Sequence, residues 1–117
     1  MDNHRVVIIT GGAGGIGSKI VDRFVRNGDL VIVIDRDGKA LEHLQQSRNA
    51  GAQLTTLTGD IAEENDVRRF GEEIRSSAGR VDVLVNCAGY YPVVPFEQMT
   101  FENWREVVAI NLSGAFS

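Results

Sequence analysis

Arg5-Val6-Val7-Ile8-Ile9-Thr10-Gly11-Gly12-Ala13-Gly14-Gly15-Ile16-Gly17-Ser18 is the stretch that decides the fold. Arg5 to Ile9 reads as a strand. Its apolar residues run on without alternation, as they do in a strand buried on both faces. The chain then enters a glycine-rich loop, and from Gly15 to Asn27 the apolar residues Ile16, Ile20, Val21, Phe24 and Val25 fall on one face of a helix. Gly28 supplies the helix stop. A strand, a glycine loop and a helix in that order form a phosphate cradle. Glycines let the backbone turn tightly and approach a pyrophosphate without a Cβ in the way, and the helix aims its free N–H groups and positive dipole end at the anion. Three registers fit. Gly12, Gly14 and Gly17 give G-x-G-x-x-G; Gly11, Gly14 and Gly17 give T-G-x-x-G-x-x-G; Gly11, Gly15 and Gly17 give T-G-x-x-x-G-x-G. The loop by itself indicates a dinucleotide and does not separate the enzyme groups that bind one.

Outward from the loop, strands and helices alternate. Leu30 to Ile34 is a second buried strand, ended by Asp35. Asp37 caps a helix carrying Ala40, Leu41 and Leu44. Gln53 to Leu57 is a weaker, Thr-rich strand suited to an edge. Ala62 to Ser77 is a helix apolar at Val67, Phe70 and Ile74. Val81 to Val85 is a fourth strand, and after a loop with Pro92 and Pro95, Thr100 caps a helix through Phe101, Trp104, Val107 and Val108. This alternation predicts an α/β fold, a doubly wound parallel sheet with strand order 3-2-1-4. Asp35 stands near the offset of about 20 residues expected of a carboxylate on the adenosine ribose. It accepts a hydrogen bond from a free 2′-OH and repels a 2′-phosphate, which favours NAD over NADP; the plainer reading is a turn residue. For Arg36 a solvated surface role outweighs phosphate binding.

Composition narrows the function classes. The chain has 117 residues, enough for one domain, with 12 Lys and Arg against 16 Asp and Glu and a net charge of -4. No basic cluster marks a nucleic-acid or anionic-membrane surface. The longest apolar run, Leu30 to Ile34, is far below the roughly 20 residues of a spanning helix. Cys87, the single cysteine, excludes an internal disulfide, and with His4 and His43 far apart no metal site is expected. Thirteen glycines are roughly 11% of the chain against a norm of about 7%. A cytoplasmic, single-domain protein is the expectation.

Three further motifs complete a pattern: Gly59-Asp60-Ile61 after the third strand, Asn86-Cys87-Ala88-Gly89 after the fourth, and Asn111-Leu112-Ser113-Gly114 in the last helix. With the Thr10–Gly17 loop and Asp35, the chain resembles the N-terminal half of the Rossmann domain of the short-chain dehydrogenase/reductase family, over essentially its whole length. Extended nucleotide-sugar epimerases share one loop register, but they usually carry a His-x-Ala type sequence where this chain has Asn86 to Gly89, so an epimerase is disfavoured. The resemblance implies that Gly11, Gly12, Gly14, Gly15, Ile16 and Gly17 meet the cofactor, that Asp60 and Ile61 meet the adenine, and that Asn86, Ala88 and Gly89 line the adenosine side of the cleft. The family usually has a second Asn at Cys87; a buried small hydrophobe fits there better than a reactive thiol. Asn111 falls with Trp104 and Val108 on one apolar stripe, and a buried amide there needs partners. The resemblance gives it a supporting catalytic role, holding a water linked to a lysine.

The family's chemistry uses a Ser and a Y-x-x-x-K pair, in which the Lys lowers the pKa of the Tyr. Neither Tyr90 nor Tyr91 has a lysine four residues on, because Lys19 and Lys39, the only lysines, precede both. Residues 1–117 therefore read as a partial dinucleotide-binding domain, truncated before its catalytic half and inactive alone. Tyr90, Tyr91 and Pro92 suit a substrate wall or ordinary loop packing equally. Trp104 reads as core. His4 and His43 read as solvent-facing, and the Glu63/Glu64 and Glu72/Glu73 pairs as a solvated helix face. The expectation is the cofactor-binding half of an NAD-dependent oxidoreductase that acts on small alcohols or ketones as a homodimer or homotetramer. A stand-alone, non-catalytic NAD-binding module is the alternative.

Overall fold

The computed structural model describes residues 4–117. Four parallel strands form one sheet in the order β3-β2-β1-β4, with β1 at Val6–Thr10, β2 at Leu30–Asp35, β3 at Leu54–Thr58 and β4 at Val83–Asn86. The helices are α1 (Gly15–Arg26), α2 (Gly38–Arg48), α3 (Glu64–Ser77) and α4 (Phe101–Val108); a π-helical turn, Ala109–Ser113, and a short α5, Gly114–Phe116, continue α4. The predicted doubly wound order is the one observed.

Every residue of β1 is buried. Its side chains alternate between two cores, which explains an apolar run without polar interruption. On one face Val7 and Ile9 pack with Val31, Val33, Val21 of α1 and Leu41 and Leu44 of α2. On the other, Val6 and Ile8 pack with Ile32, Ile34 and Phe70 and Ile74 of α3. The register then brings strand ends together: Thr10 pairs with Ile34 and with Asn86, and Asp35 with Thr58.

Side-chain caps set the element boundaries. The Asp37 carboxylate accepts the Ala40 N–H at 3.0 Å and starts α2. Thr100 and Asn103 bond each other's backbone N–H reciprocally, at 3.1 and 3.0 Å, and start α4. Arg5 makes two 2.9 Å bonds to the buried carboxylate of Asp29 and ties the entrance of β1 to that of β2.

Three expectations are corrected. The fourth strand begins at Val83, not Val81. Val81 is exposed, and Asp82 instead turns its carboxylate to the Val6 N–H at 2.7 Å, capping the start of β1 from outside the strand. The third helix begins at Glu64 rather than Ala62, whose N–H is held by Asp60. Trp104 is not core: it is 61% exposed, because α4 has no fully buried residue and stands clear of the sheet.

Candidate functional site

The C-terminal ends of β1, β2, β3 and β4 and the start of α1 border an open-sided cleft of about 430 Å³. Its floor depends on close backbone approach. Gly11 has φ +67°, and a Cβ there would stand 2.6 Å from the Cα of Ala88. A Cβ on Gly17 would come within 2.8 Å of the Gly12 Cα and closer still to the Gly11 carbonyl oxygen. These glycines let the loop, α1 and the β4 loop touch. Around Gly15 nothing lies within 4 Å of where a Cβ would be. The first turn of α1 has no capping side chain and no acidic residue. An open space at an uncapped helix N-terminus suits an anion.

Thr10, the last residue of β1, fastens the β4 side of the cleft. Its hydroxyl oxygen accepts the N–H groups of Cys87 at 3.3 Å and Ala88 at 3.2 Å. Asp35 sits at the end of β2, one carboxylate oxygen accepting the Ala13 N–H at 3.1 Å and the other the Asp37 N–H at 3.0 Å. The carboxylate is thereby fixed against the glycine loop.

The turn after β3 is braced by Asp66 and Arg69, which stand outside the cleft. Asp60 donates its N–H to the Asp66 carboxylate at 2.9 Å, while its own carboxylate accepts the Ala62 N–H at 2.9 Å. Arg69 bonds both the Thr58 carbonyl, at 2.7 Å, and Asp66, at 3.2 Å. The Asp60 N–H first, and Arg69 second, hold the Asp66 carboxyl below the usual carboxylate range. Gly59 has no room for a Cβ, which would lie 2.5 Å from the Phe70 ring.

Asn111 lies in the π-helical turn, a local widening of the kind that recurs at functional sites. Its amide clamps one residue of the β4–α4 loop: the side-chain oxygen accepts the Tyr90 N–H at 2.8 Å, and the side-chain nitrogen donates to the Tyr90 carbonyl at 2.9 Å. The need for partners that its apolar stripe implied is met by backbone.

Ten of the predicted cofactor positions line one cleft: Gly11, Gly14, Gly15, Ile16, Gly17, Asp35, Asp60, Ile61, Ala88 and Gly89. Gly12 and Asn86 stand outside the lining. Gly12 is buried against Val33 and Val21, where any Cβ would clash, and Asn86 occupies the exposed edge strand. Arg36, read from sequence as a surface residue, does line the cleft, as do Cys87 and Ile110. Thr10 and the Asp66–Arg69 pair were also missed. Asp66 and Arg69 are three residues apart on a helix, a spacing that pairs them, but nothing in the sequence links that pair to Asp60.

A family model described as short chain dehydrogenase matches residues 5–117. Acetoacetyl-CoA reductase of Allochromatium vinosum is 34% identical over 116 residues, which are 97% of this chain and 47% of that protein. A 3-ketoacyl-(acyl-carrier-protein) reductase from Brucella melitensis, solved in complex with NADH, superposes with TM-score 0.85 at 29% identity, covering 96% of this chain and 46% of that one. An actinorhodin polyketide ketoreductase solved with NADPH superposes with TM-score 0.90 at 30% identity, covering 97% and 44%. The chain spans about half the length of the curated relatives it matches. Among the described residues no helix is long and apolar enough to cross a membrane.

Proposed function

The chain belongs to the short chain dehydrogenase family, and from that membership we propose that it is the cofactor-binding half of an NAD-dependent oxidoreductase acting on an alcohol or ketone. The observation that carries the reading is the cleft: the glycine loop, the uncapped N-terminus of α1 and the acidic residue at the end of β2, hydrogen-bonded to that loop, line one half-open space. The residues present fit a dinucleotide. Gly15 leaves open space for a pyrophosphate, since a Cβ there would enter space no protein atom uses, and the N–H groups of Gly15 and Ile16 lie in the first turn of α1, where the helix offers them no acceptor. Asp35 would accept from the adenosine ribose 2′-OH and repel a 2′-phosphate. Asp60 and Ile61 would meet the adenine, and Ala88 and Gly89 would border the adenosine.

When bound, the nicotinamide would supply or accept the hydride exchanged with the substrate carbon. This chain's own part is to bind, orient and shield. Asn111 fixes the Tyr90 backbone and hence the course of the loop that leaves β4 beside the cleft. The acid–base Tyr and its Lys would come from a catalytic half that residues 1–117 do not contain, since no Y-x-x-x-K occurs in them. The reading extends to a cytoplasmic enzyme active as a homodimer or homotetramer.

The test is calorimetric titration with NAD and NADP, followed by kcat/KM for each cofactor with a panel of alcohols and ketones. Tighter binding of NAD and turnover by the protein that carries the catalytic half are expected. A preference for NADP would overturn the assignment of Asp35. Binding with no turnover would favour a stand-alone nucleotide-binding module.

A further inference from the structure

Asp35 and Arg36 place opposite charges side by side at the cleft, yet they do not pair. The Asp35 oxygens are taken by the N–H groups of Ala13 and Asp37. Among the described residues the Arg36 side chain makes no ion pair and no hydrogen bond; its guanidinium lies 5.7 Å from the centroid of the Tyr90 ring. That contact is long-range across the sheet. Arg36 follows β2 and Tyr90 follows β4, with β1 between them. At a strand spacing of about 4.8 Å, the two chains are roughly 10 Å apart over the glycine loop. Tyr90 is held in place, because Asn111 grips both polar groups of its backbone. Arg36 lines the cleft and the Tyr90 ring does not, so the ring draws the cation toward the rim.

We propose that Tyr90 is a positioning residue that sets cofactor specificity: its ring holds Arg36 at the rim of the cleft, away from the ribose 2′ position beside Asp35. The proposal rests on the reading of the cleft as a dinucleotide site. A cofactor with a 2′-OH leaves Arg36 on the ring. A cofactor with a 2′-phosphate draws Arg36 off it, losing the cation–π contact while also facing the Asp35 carboxylate. Without the ring Arg36 is free to meet the phosphate. The expected gain in NADP affinity is about two- to fivefold, the scale of such a contact at an exposed site.

The experiment is calorimetric titration of the intact protein with NAD and with NADP. In Tyr90→Leu, NADP affinity rises about two- to fivefold and NAD affinity stays within about twofold, a split that general loosening of the loop does not produce. Tyr90→Phe keeps the ring and restores the wild-type ratio. In an Arg36→Gln background, Tyr90→Leu no longer raises NADP affinity, because no cation is left to release. Tyr90→Gln also removes the ring and repeats the test if the leucine variant does not fold. An equal change for both cofactors, or a gain that persists in Arg36→Gln, overturns the proposal while leaving the cleft assignment standing. Failure of the wild type to bind either dinucleotide overturns the cleft assignment, and this proposal with it.

Discussion

Phe70 and Trp104 occupy matching places, each an aromatic residue on the apolar stripe of an amphipathic helix that follows a parallel strand. Phe70 is 4% exposed and Trp104 is 61% exposed. The difference lies in what each helix meets. Helix α3 lies back across the sheet onto Ile8, Ile32 and Ile34, over strands that have neighbours. Helix α4 follows β4, which is paired along β1 alone, and Leu84 on that strand is 55% exposed. Periodicity determines which face of a helix is apolar. It does not determine whether anything covers that face. The region from β1 to α3 is closed on both sides of the sheet; the region from β4 onward is open. The cleft sits on the seam between them, and Thr10, Gly11 and Asn111 hold the seam together.

The comparison can be broken most severely at the glycines. Gly17→Val should destroy the fold of the closed region and nucleotide binding together, because its side chain would have to occupy Gly11 and Gly12 backbone space. Gly15→Val should leave circular dichroism and the melting transition unchanged and abolish NAD binding alone, because its side chain meets only open space. Unchanged NAD affinity in a folded Gly15→Val protein would sink the phosphate assignment.

Core truncation sharpens the contrast next. Ile9→Ala, at a site with no exposure, should cost about 2–5 kcal/mol in denaturant unfolding. Trp104→Ala should stay within about 0.5 kcal/mol. Comparable losses would mean that α4 is covered after all. At the seam, Asn111→Ala leaves the Tyr90 N–H and carbonyl without their partners and should cost about 1 kcal/mol. Proteolysis of the β4–α4 loop should quicken in that variant, and an unchanged cleavage rate would deny Asn111 its clamping role.

The smallest effect is on pH dependence. Arg5 holds the Asp29 carboxyl below its usual 3.8, and the Val6 N–H does the same for Asp82. Both are lower in the folded state than in the unfolded chain. Their stabilisation is therefore complete above the unfolded value and is lost as pH falls through the folded values below 3.8. Asp29→Asn should flatten the acid limb of a stability–pH curve and leave its slope near neutrality unaltered. An acid limb as steep as wild type would exclude the Arg5 pair as its source.

Much of this molecule was legible in its sequence. The unbroken apolar runs of β1 and β2 require burial on both faces, which only a parallel sheet between helices provides, and the glycine pattern located the cleft. The chemistry of Asp37 and Thr100 identified two caps. What the sequence withheld were long-range relations. The reach of Arg36 to Tyr90 depends on strand order and on a loop conformation that Asn111 fixes from the other end of a helix. The Thr10 hydroxyl has its two partners only because the register sets β1 and β4 level. Trp104 was misplaced because apolar spacing carries no information about a partner surface.

Strand β1 also has a history in time. It stands in the middle of the sheet, yet one of its two edges is completed by a segment some 76 residues downstream. At the roughly 5–20 residues per second of protein synthesis, that edge waits several seconds to about fifteen for its partner to leave the ribosome. For that interval Val6 to Ile9 form an apolar template with unsatisfied amides on one side. The newborn chain is therefore most prone to capture by a chaperone, or by another nascent copy, before Val83 emerges, and the most protected strand of the finished protein is the most vulnerable one during its synthesis.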